Sequence, residues 1–359
     1  MSAVLEPQSA APVTAATATR PTELWYTRCP VPTASGIAQH QRWLHGAFER
    51  VGIKLESIRA SQDRAVRESH FRHSVTGSFR EGGNVPPIWT RSRGQDTVVL
   101  AITWVDEEQL VLVRADSDIR SVADLRGRKL GLVKKEGADL VDVGRAEGLR
   151  GLLTALRLNG VRRDEVQWVD LHSAEWELRE QTVPAEQRPH GPTQALLEGR
   201  VDAIFVKGAG SAVALQRGLR SIFNINQELD PLNRVSAGSP RPVTVDRKTL
   251  EDHPELVAHY LAVLLKTAQW ATENPDEVVR VIAAETGSTE AAVRQAFGPK
   301  LHLAFKPQLS DQYVQGLRDQ KNFLLAEGFI PTDVDLDAWI DPRPLARARE
   351  LVDQIELKA

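Results

Sequence analysis

Short apolar runs that alternate with segments of helical periodicity constrain the fold of this chain more than any other feature. The runs TVVLAIT (97–103) and QLVLVR (109–114) have the length and the β-branched content of buried strands. Strand-like and helical segments then alternate over 115–224, with a helix predicted at 145–159. This alternation is typical of helices packed on a parallel sheet. We therefore predict an α/β fold.

The N-terminal third begins with the same pattern and continues into a polar stretch. We predict a strand at 24–27, one helix from about Gly36 to Arg50, and a strand at 53–58. Residues 61–94 are rich in arginine, glycine and other polar residues. This composition predicts a long functional loop that contains only a short helix at 85–91.

The C-terminal third is predicted to be mostly helical, and the N-terminal tail to be disordered. Residues 1–23 are dominated by alanine, threonine and proline, which favour a disordered tail. Proline and asparagine punctuate the helical periodicity at the other end of the chain. The predicted helices cover 254–273, 275–285, a segment that Ser288 begins, 309–327 and 342–357.

Charge and cysteine content exclude several classes of function. The 359 residues include 45 basic and 48 acidic ones, a balance that argues against a nucleic-acid binder with a basic surface. One cysteine, Cys29, excludes an internal disulfide framework and cysteine-rich metal clusters.

No signal-like start and no run of about 18 apolar residues is present, so we expect a cytoplasmic protein. No helix carries a sustained heptad, so we expect a monomer.

Cys29 lies in the sequence CPVP, between a predicted strand and a predicted helix. The two prolines stiffen this loop, and a cation at Arg28 would favour the thiolate. The helix that starts near Gly36 would add partial positive charge if its N-terminus faced the thiol. The alternative is a small buried side chain, the usual role of a lone cysteine.

Groups that could act with a thiol or bind an anion follow downstream. The His70 imidazole could deprotonate a thiol, and the Arg80 guanidinium could hold two oxygens of an anion. Gly82 and Gly83 would let backbone N–H groups approach such an anion, or they form a simple turn. For His70 and Arg80 the alternative is a solvent-exposed side chain that has no role in a site. His73 lies three positions after His70, but no carboxylate or cysteine cluster accompanies the pair, so no metal site is predicted.

Two segments, DSDIRSVADLRGRKLGL (116–132) and QALLEGRVDAIF (194–205), resemble solute-binding proteins of the nitrate, sulfonate and taurine type. This resemblance implies the periplasmic-binding-protein type II fold, with two parallel-sheet α/β lobes and a ligand cleft between them. The first lobe would comprise 24–114 plus 225–359 and carry the catalytic loops, and the second would comprise 115–224.

A narrower resemblance concerns YTRCPVP (26–32), His70-Phe71 and REGGNVPP (80–87). In order and spacing these segments resemble the aromatic sulfinate desulfinases of dibenzothiophene desulfurisation. The resemblance implies cofactor-free cleavage of the carbon–sulfur bond of an aryl sulfinate, such as hydroxybiphenyl sulfinate, to the arene or phenol and sulfite. It implies Cys29, His70 and Arg80 as catalytic residues, and Arg28, Phe71, His73, Gly82 and Gly83 as substrate contacts.

The chain departs from the family pattern at Arg28, Glu81 and His73, so the particular aryl sulfinate stays open. Glu81 would point to solvent, because successive side chains along an extended segment face opposite ways. If it pointed inward, its carboxylate would oppose an anion. Whether Cys29 attacks sulfur or protonates the ring carbon also stays open. The alternative functions are a non-catalytic binding protein for sulfonate-type anions and another cofactor-free enzyme, such as a lyase or a pyrimidine-forming enzyme.

Overall fold

The computed structural model describes residues 19–135, 139–173 and 190–359. Most of the predicted tail (1–23) and of the loop at 172–192 lies outside these residues. The described strands are β1 (Glu23–Arg28), β2 (Lys54–Ser57), β3 (Ser78–Glu81), β4 (Thr97–Thr103), β5 (Gln109–Arg114), β6 (Lys129–Lys135), β7 (Gln167–Ser173), β8 (Ile204–Lys207), β9 (Leu219–Asn224) and β10 (Arg241–Asp246).

Helices occupy much of the remaining described chain. They are α1 (Ala34–His40), α2 (Trp43–Glu49), α3 (Arg64–Arg72), α4 (Val85–Ser92), α5 (Val143–Leu158), α6 (Gly191–Leu197), α7 (Ala209–Gln216), α8 (Arg247–Asp252), α9 (Pro254–Glu273), α10 (Pro275–Thr286), α11 (Glu290–Phe297), α12 (Asp311–Ala326), α13 (Leu336–Trp339) and α14 (Arg343–Leu351). None of these helices has the length and apolar character needed to cross a membrane. The predicted helices at 145–159 and 254–273 are confirmed as α5 and α9.

The first lobe is built on a five-stranded sheet with the order β2-β1-β3-β10-β4. Strands β2, β1 and β3 are parallel, whereas β10 is antiparallel to both β3 and β4. Apolar side chains of the sheet pack against α9, and Phe79 stacks on Tyr260 with ring centroids 4.0 Å apart. The parallel arrangement brings the C-terminal ends of β1 and β3 to one edge, where Cys29 and Gly82 follow them.

The second lobe contains an antiparallel sheet, β8-β5-β9, and a parallel pair, β6-β7. Helix α5 packs on it through residues such as Leu152, which belongs to the same apolar cluster as Phe205. The predicted lobe boundary falls after residue 114, but β5 itself pairs with β8 and β9. The sheets are also mixed rather than purely parallel. In the first lobe β10 is antiparallel to β3 and β4, and in the second lobe β5 is antiparallel to β8 and β9.

Two connections join the lobes. The chain passes from β4 to β5 through residues 104–108 and returns from β9 to β10 through residues 225–240. A cavity lies between the lobes beside these connections, and residues of both lobes line it. The predicted two-lobed α/β fold with a cleft is confirmed.

Two predictions in the N-terminal third are wrong in detail. The helix predicted from Gly36 to Arg50 is interrupted, because Arg42 adopts a left-handed conformation with φ of 62°. The predicted loop at 61–94 contains α3 and β3 in addition to α4. Helix α3 gave no apolar signal because its buried face consists mainly of polar residues, including Arg67 and His70.

Candidate active site

Cys29 directly follows β1 and faces the cavity between the lobes. Its backbone N–H donates to the carbonyl of Glu81 at 3.1 Å, which extends the pairing of β1 with β3 by one residue. The thiol is half-buried, and the cavity has a volume of about 330 Å³. The first lobe lines the cavity with Cys29, Pro30, Val31, His70, Phe71 and Gly83, among others. The second lobe contributes Val133, Lys135, Val141, Val143, Glu147 and Lys207, among others.

The His70 imidazole lies between the thiol and a threonine hydroxyl. Its Nε2 is 3.4 Å from Sγ of Cys29, and its Nδ1 is 2.9 Å from Oγ1 of Thr27. Burial, reinforced by the Arg80 guanidinium, holds the pKa of His70 well below its usual range. The imidazole is therefore neutral near pH 7. A neutral ring donates to a thiolate in one tautomer and accepts from a thiol in the other.

The Arg80 guanidinium supports the thiol from behind. Its Nη2 donates to Sγ of Cys29 at 3.5 Å and to the carbonyl of Gly83 at 3.0 Å, and its Nε donates to the carbonyl of His70 at 3.0 Å. Arg80 is buried and is not among the residues that line the cavity. Arg80 thus contacts Sγ from the protein interior rather than from the cavity. A direct grip of Arg80 on the substrate anion stays a prediction.

The two glycines after β3 allow close approaches that no other residue permits. Gly82 has φ of 151°, and a Cβ on it would lie 2.4 Å from Sγ of Cys29. A Cβ on Gly83 would lie 2.6 Å from the carbonyl oxygen of Ala237. The thiol thus packs against bare backbone, and Gly83 presents bare backbone to the cavity.

Phe71 supplies an aromatic wall beside the thiol. It lines the cavity, and its ring meets the His70 ring edge-on with centroids 5.0 Å apart. An aromatic substrate could stack against or pack on such a ring. The structure brings together Cys29, His70, Arg80, Phe71, Gly82 and Gly83 of the predicted site.

Two predicted substrate contacts do not line the cavity. Arg28 alternates with Cys29 along the extended chain, and its Nη2 forms an ion pair with Glu285 at 2.6 Å. His73 is buried at the C-terminal cap of α3 with φ of 50°. Burial, reinforced by Arg80, lowers the pKa of His73 from 6.5 to about 4, although Asp246 opposes this shift.

Glu81 is fully buried, so the expectation that it points to solvent is wrong. Its carboxylate accepts hydrogen bonds from the backbone of Ser35 at 2.7 Å and of Ala34 at 3.3 Å, and from the Thr103 hydroxyl at 3.1 Å. The carboxylate therefore caps α1 instead of opposing a substrate anion. Because these first N–H groups of α1 are bonded to Glu81, they are not available to the thiol.

Sequence analysis missed several residues of the site. Thr27 had a usable signal, since it lies two positions before Cys29 and strand alternation puts both on one face. Lys135, Glu147 and Lys207 had none, because only the packing of the second lobe brings them to the cavity. No group of three or more His, Cys, Asp or Glu side chains within the described ranges could hold a metal ion.

The fold and the cavity define the class of protein. A two-lobed α/β chain with two inter-lobe connections and a ligand-sized cavity is a solute-binding-protein fold. In this chain a thiol with an imidazole partner faces the cavity, which a passive binder does not need.

Comparisons with known proteins agree with this class. No protein-family model matches the chain. It is 28% identical to the 2'-hydroxybiphenyl-2-sulfinate desulfinases of Rhodococcus erythropolis and Rhodococcus qingshengii, over 89% of this chain and 91% of each relative. Among solved structures it is similar to a cysteine-to-serine mutant of DszB in complex with biphenyl-2-sulfinic acid, with a TM-score of 0.75 and 26% identity over 91% of this chain and 99% of that one.

A sulfonate-binding protein, SsuA of Methylobacillus flagellatus, shares the fold. Its TM-score is 0.70 at 15% identity, over 94% of this chain and 97% of that one. The periplasmic-binding-protein fold and the resemblance to sulfinate desulfinases are therefore both confirmed.

Proposed function

We propose that this protein is an aryl sulfinate desulfinase, which cleaves the carbon–sulfur bond of an aromatic sulfinate and releases the arene or phenol together with sulfite. One observation carries the proposal. The Cys29 thiol faces a largely apolar cavity, contacts a neutral His70 imidazole at 3.4 Å and has the Arg80 guanidinium at 3.5 Å. Similarity to named desulfinases over most of the chain supports it.

The overall reaction needs only water as a co-reactant. An aryl sulfinate and water give an arene and hydrogensulfite, so the ring carbon gains a proton and sulfur gains a hydroxyl group. No external oxidant or reductant enters this balance. We accordingly assign the reaction to carbon–sulfur bond hydrolysis, without a metal or a cofactor.

In a first route the Cys29 thiolate attacks the sulfinate sulfur. The new sulfur–sulfur bond forms as the carbon–sulfur bond breaks, and the aryl carbon leaves with the electron pair and takes up a proton. Water then attacks the sulfur bound to Cys29, which releases hydrogensulfite, restores the thiolate and gives up one proton, and this proton balances the one that the ring carbon took up. Arg80 stabilises the thiolate, and the Nε2 of His70 donates to it.

In a second route the Cys29 thiol protonates the ring carbon that carries sulfur. The electrons of the carbon–sulfur bond return to the ring, sulfur dioxide departs, and water converts it to hydrogensulfite and a proton that regenerates the thiol. His70 then accepts from the thiol in its other tautomer. Closure of the lobes would exclude bulk water in both routes.

The bare backbone of Gly83 suits the sulfinate oxygens. Gly83 lines the cavity beside Cys29, and no side chain shields its peptide group from a ligand. Phe71 packs against the aromatic part of the substrate. We further propose that the protein acts as a monomer in the cytoplasm.

A sulfite assay tests the proposal. Purified protein is incubated with 2'-hydroxybiphenyl-2-sulfinate and with benzenesulfinates, and sulfite is measured. We expect sulfite from at least one of them, and none from Cys29→Ser, because a hydroxyl is a far weaker nucleophile and acid than a thiol. An unchanged unfolding temperature of the variant shows that its fold is retained.

The outcomes are separable. No sulfite from any aryl sulfinate would refute the desulfinase, and tight binding without turnover would favour a sulfonate-type binding protein, whose fold this chain shares. Since Cys29 is the single thiol of the chain, loss of activity on alkylation is assigned to it directly. A covalent sulfur adduct on Cys29, detected by mass spectrometry, distinguishes the first route from the second.

A further inference from the structure

The cavity wall of the second lobe carries an ion-pair cluster that the proposed chemistry does not use. Nζ of Lys207 lies 3.1 Å from Oε1 of Glu107 and 3.4 Å from Oε2 of Glu147. The side chain of Glu107 is 2% exposed and that of Lys207 10%, whereas that of Glu147 is 31% exposed. Glu147 is therefore the member of the cluster that a ligand can reach most readily.

The two buried members satisfy each other. Lys207 donates to both carboxylate oxygens of Glu107, at 3.1 and 3.3 Å, and the Arg241 guanidinium lies 3.9 Å from the same carboxylate. Glu147 has Lys207 as its ion-pair partner, and within the described part of the chain no other cation pairs with it. Oxygen lone pairs of Glu147 are thus left for a hydrogen-bond donor.

This cluster is close to the thiol end of the cavity. A Cβ on Gly238 would lie 2.8 Å from Nζ of Lys207, and a Cβ on Gly83 would lie 3.9 Å from the Cα of Gly238. Gly238 of the inter-lobe connection therefore lies between the ion-pair cluster and the backbone of Gly83 beside Cys29. A ligand anchored at Cys29 can reach Glu147 within the same cavity.

The other charged side chains on this wall do not duplicate Glu147. Asp142 accepts from the backbone of Lys135 and of Arg145, both at 2.8–2.9 Å, so its carboxylate is occupied as the cap of α5. Lys135 is a hydrogen-bond donor only. Within the described residues Glu147 is the less occupied of the two carboxylates, with one ion pair at 3.4 Å against two backbone hydrogen bonds on Asp142.

We propose that Glu147 is a specificity-determining residue that accepts a hydrogen bond from a hydroxyl group on the aromatic part of the sulfinate substrate. This inference rests on the proposed desulfinase function, and it places the sulfinate at Cys29 and the hydroxyl at the second-lobe wall. An aromatic ligand without a hydrogen-bond donor removes water from the Glu147 carboxylate and does not replace the hydrogen bonds that the water made. Such a ligand binds less tightly for that reason.

Three sulfinates test whether the recognised group is a donor. The values of kcat/KM are compared for biphenyl-2-sulfinate, its 2'-hydroxy derivative and its 2'-methoxy derivative. We expect the hydroxy compound to exceed both others about tenfold or more, because a carboxylate accepts but does not donate. A methoxy compound that matches the hydroxy compound would overturn the proposal and indicate recognition by a lysine.

Variants of Glu147 test the residue itself. In Glu147→Leu the preference for the hydroxy compound should fall to about one, and in Glu147→Gln part of it should remain, because the amide oxygen still accepts. The matched control is Glu273→Leu, an exposed glutamate at the end of α9 outside the cavity lining, which should keep the full preference. A preference that is unchanged in Glu147→Leu would overturn the assignment.

Binding measurements separate this proposal from the proposed function. Calorimetry with Cys29→Ser gives the ratio of the Kd values for the hydroxy and unsubstituted compounds without turnover. A ratio of about ten that disappears in Cys29→Ser/Glu147→Leu supports the role of Glu147 even if no sulfite is released. Equal Kd values in Cys29→Ser would overturn it even if the desulfinase activity is established.

Discussion

Thr27 and Cys29 occupy the same side of the extended chain that leaves β1, and this spacing places a hydroxyl behind the imidazole that contacts the thiol. The Thr27 hydroxyl can either donate to Nδ1 or accept from it, so it holds the orientation of the His70 ring in both tautomers. A neutral imidazole that is held in one orientation can then either donate to Cys29 or accept from it. Thr27 is thus a positioning residue, because it orients His70 without itself contacting the substrate.

Thr27→Val tests this positioning role. The variant keeps the shape of the side chain but loses the 2.9 Å contact with His70, so we expect kcat to fall about tenfold while KM changes little. Steady-state kinetics of sulfite release measures both constants. Thr27→Ser, which retains a hydroxyl, should recover most of kcat. An equal loss in the serine variant would indicate a packing role instead.

At the scale of elements, β3 supports α1 through a buried carboxylate. Glu81 at the end of β3 accepts from the first N–H groups of α1 and from Thr103 on β4. The short α1 is thereby fixed against the sheet, and so is the loop of Cys29 that leads into it. Glu81 and Gly82 are adjacent in the chain. The Glu81 carboxylate caps α1, and Gly82, which has no Cβ, leaves room for the thiol of Cys29.

Glu81→Gln is expected to destabilise the fold. The amide retains one acceptor but directs an NH₂ group toward donors, so the free energy of unfolding should fall by about 1–3 kcal/mol. Urea denaturation measures this change. The control is Glu23→Gln on the exposed side of β1, where a change within about 0.5 kcal/mol is expected. Equal stability of the two variants would contradict the capping role.

At the scale of the whole molecule, two buried histidines couple stability to pH. Burial lowers the pKa of His70, and it lowers the pKa of His73 to about 4, against an ordinary value of 6.5. The unfolded chain therefore binds more protons than the folded one below about pH 6.5. Because protons then favour the unfolded chain, stability falls as the pH is lowered from about 6.5 to about 4.

His73→Asn should reduce this dependence. One proton corresponds to about 1.4 kcal/mol per pH unit, and the unfolded imidazole is half-protonated at about pH 6.5. The variant should therefore lose less stability than the parent between pH 6.5 and pH 5, by about 1.5 kcal/mol. Asparagine tolerates the left-handed backbone at this position. The free energy of unfolding is measured by urea denaturation at both pH values. His302→Asn, a partly buried histidine elsewhere, serves as the control, and identical slopes for parent and His73→Asn would contradict the prediction.

The sequence by itself determined the α/β class, the long helices and the residues that follow β1 and β3. Apolar periodicity is a local property, so strong patterns such as those of α5 and α9 are visible without a structure. The CPVP loop, His70-Phe71 and the glycine pair also stand in short segments, and this allowed Cys29, His70 and Gly83 to be named from sequence. Helix α3 was missed because its buried face is polar.

Only the tertiary structure decided which charges face the cavity. Arg28 turns to Glu285, Glu81 is buried beneath α1, and Arg80 lies behind the thiol. The second-lobe wall, with Glu147 and Lys207, is assembled by packing between segments that lie far apart in the chain. Side-chain direction and burial depend on these distant contacts, which local residue patterns do not encode.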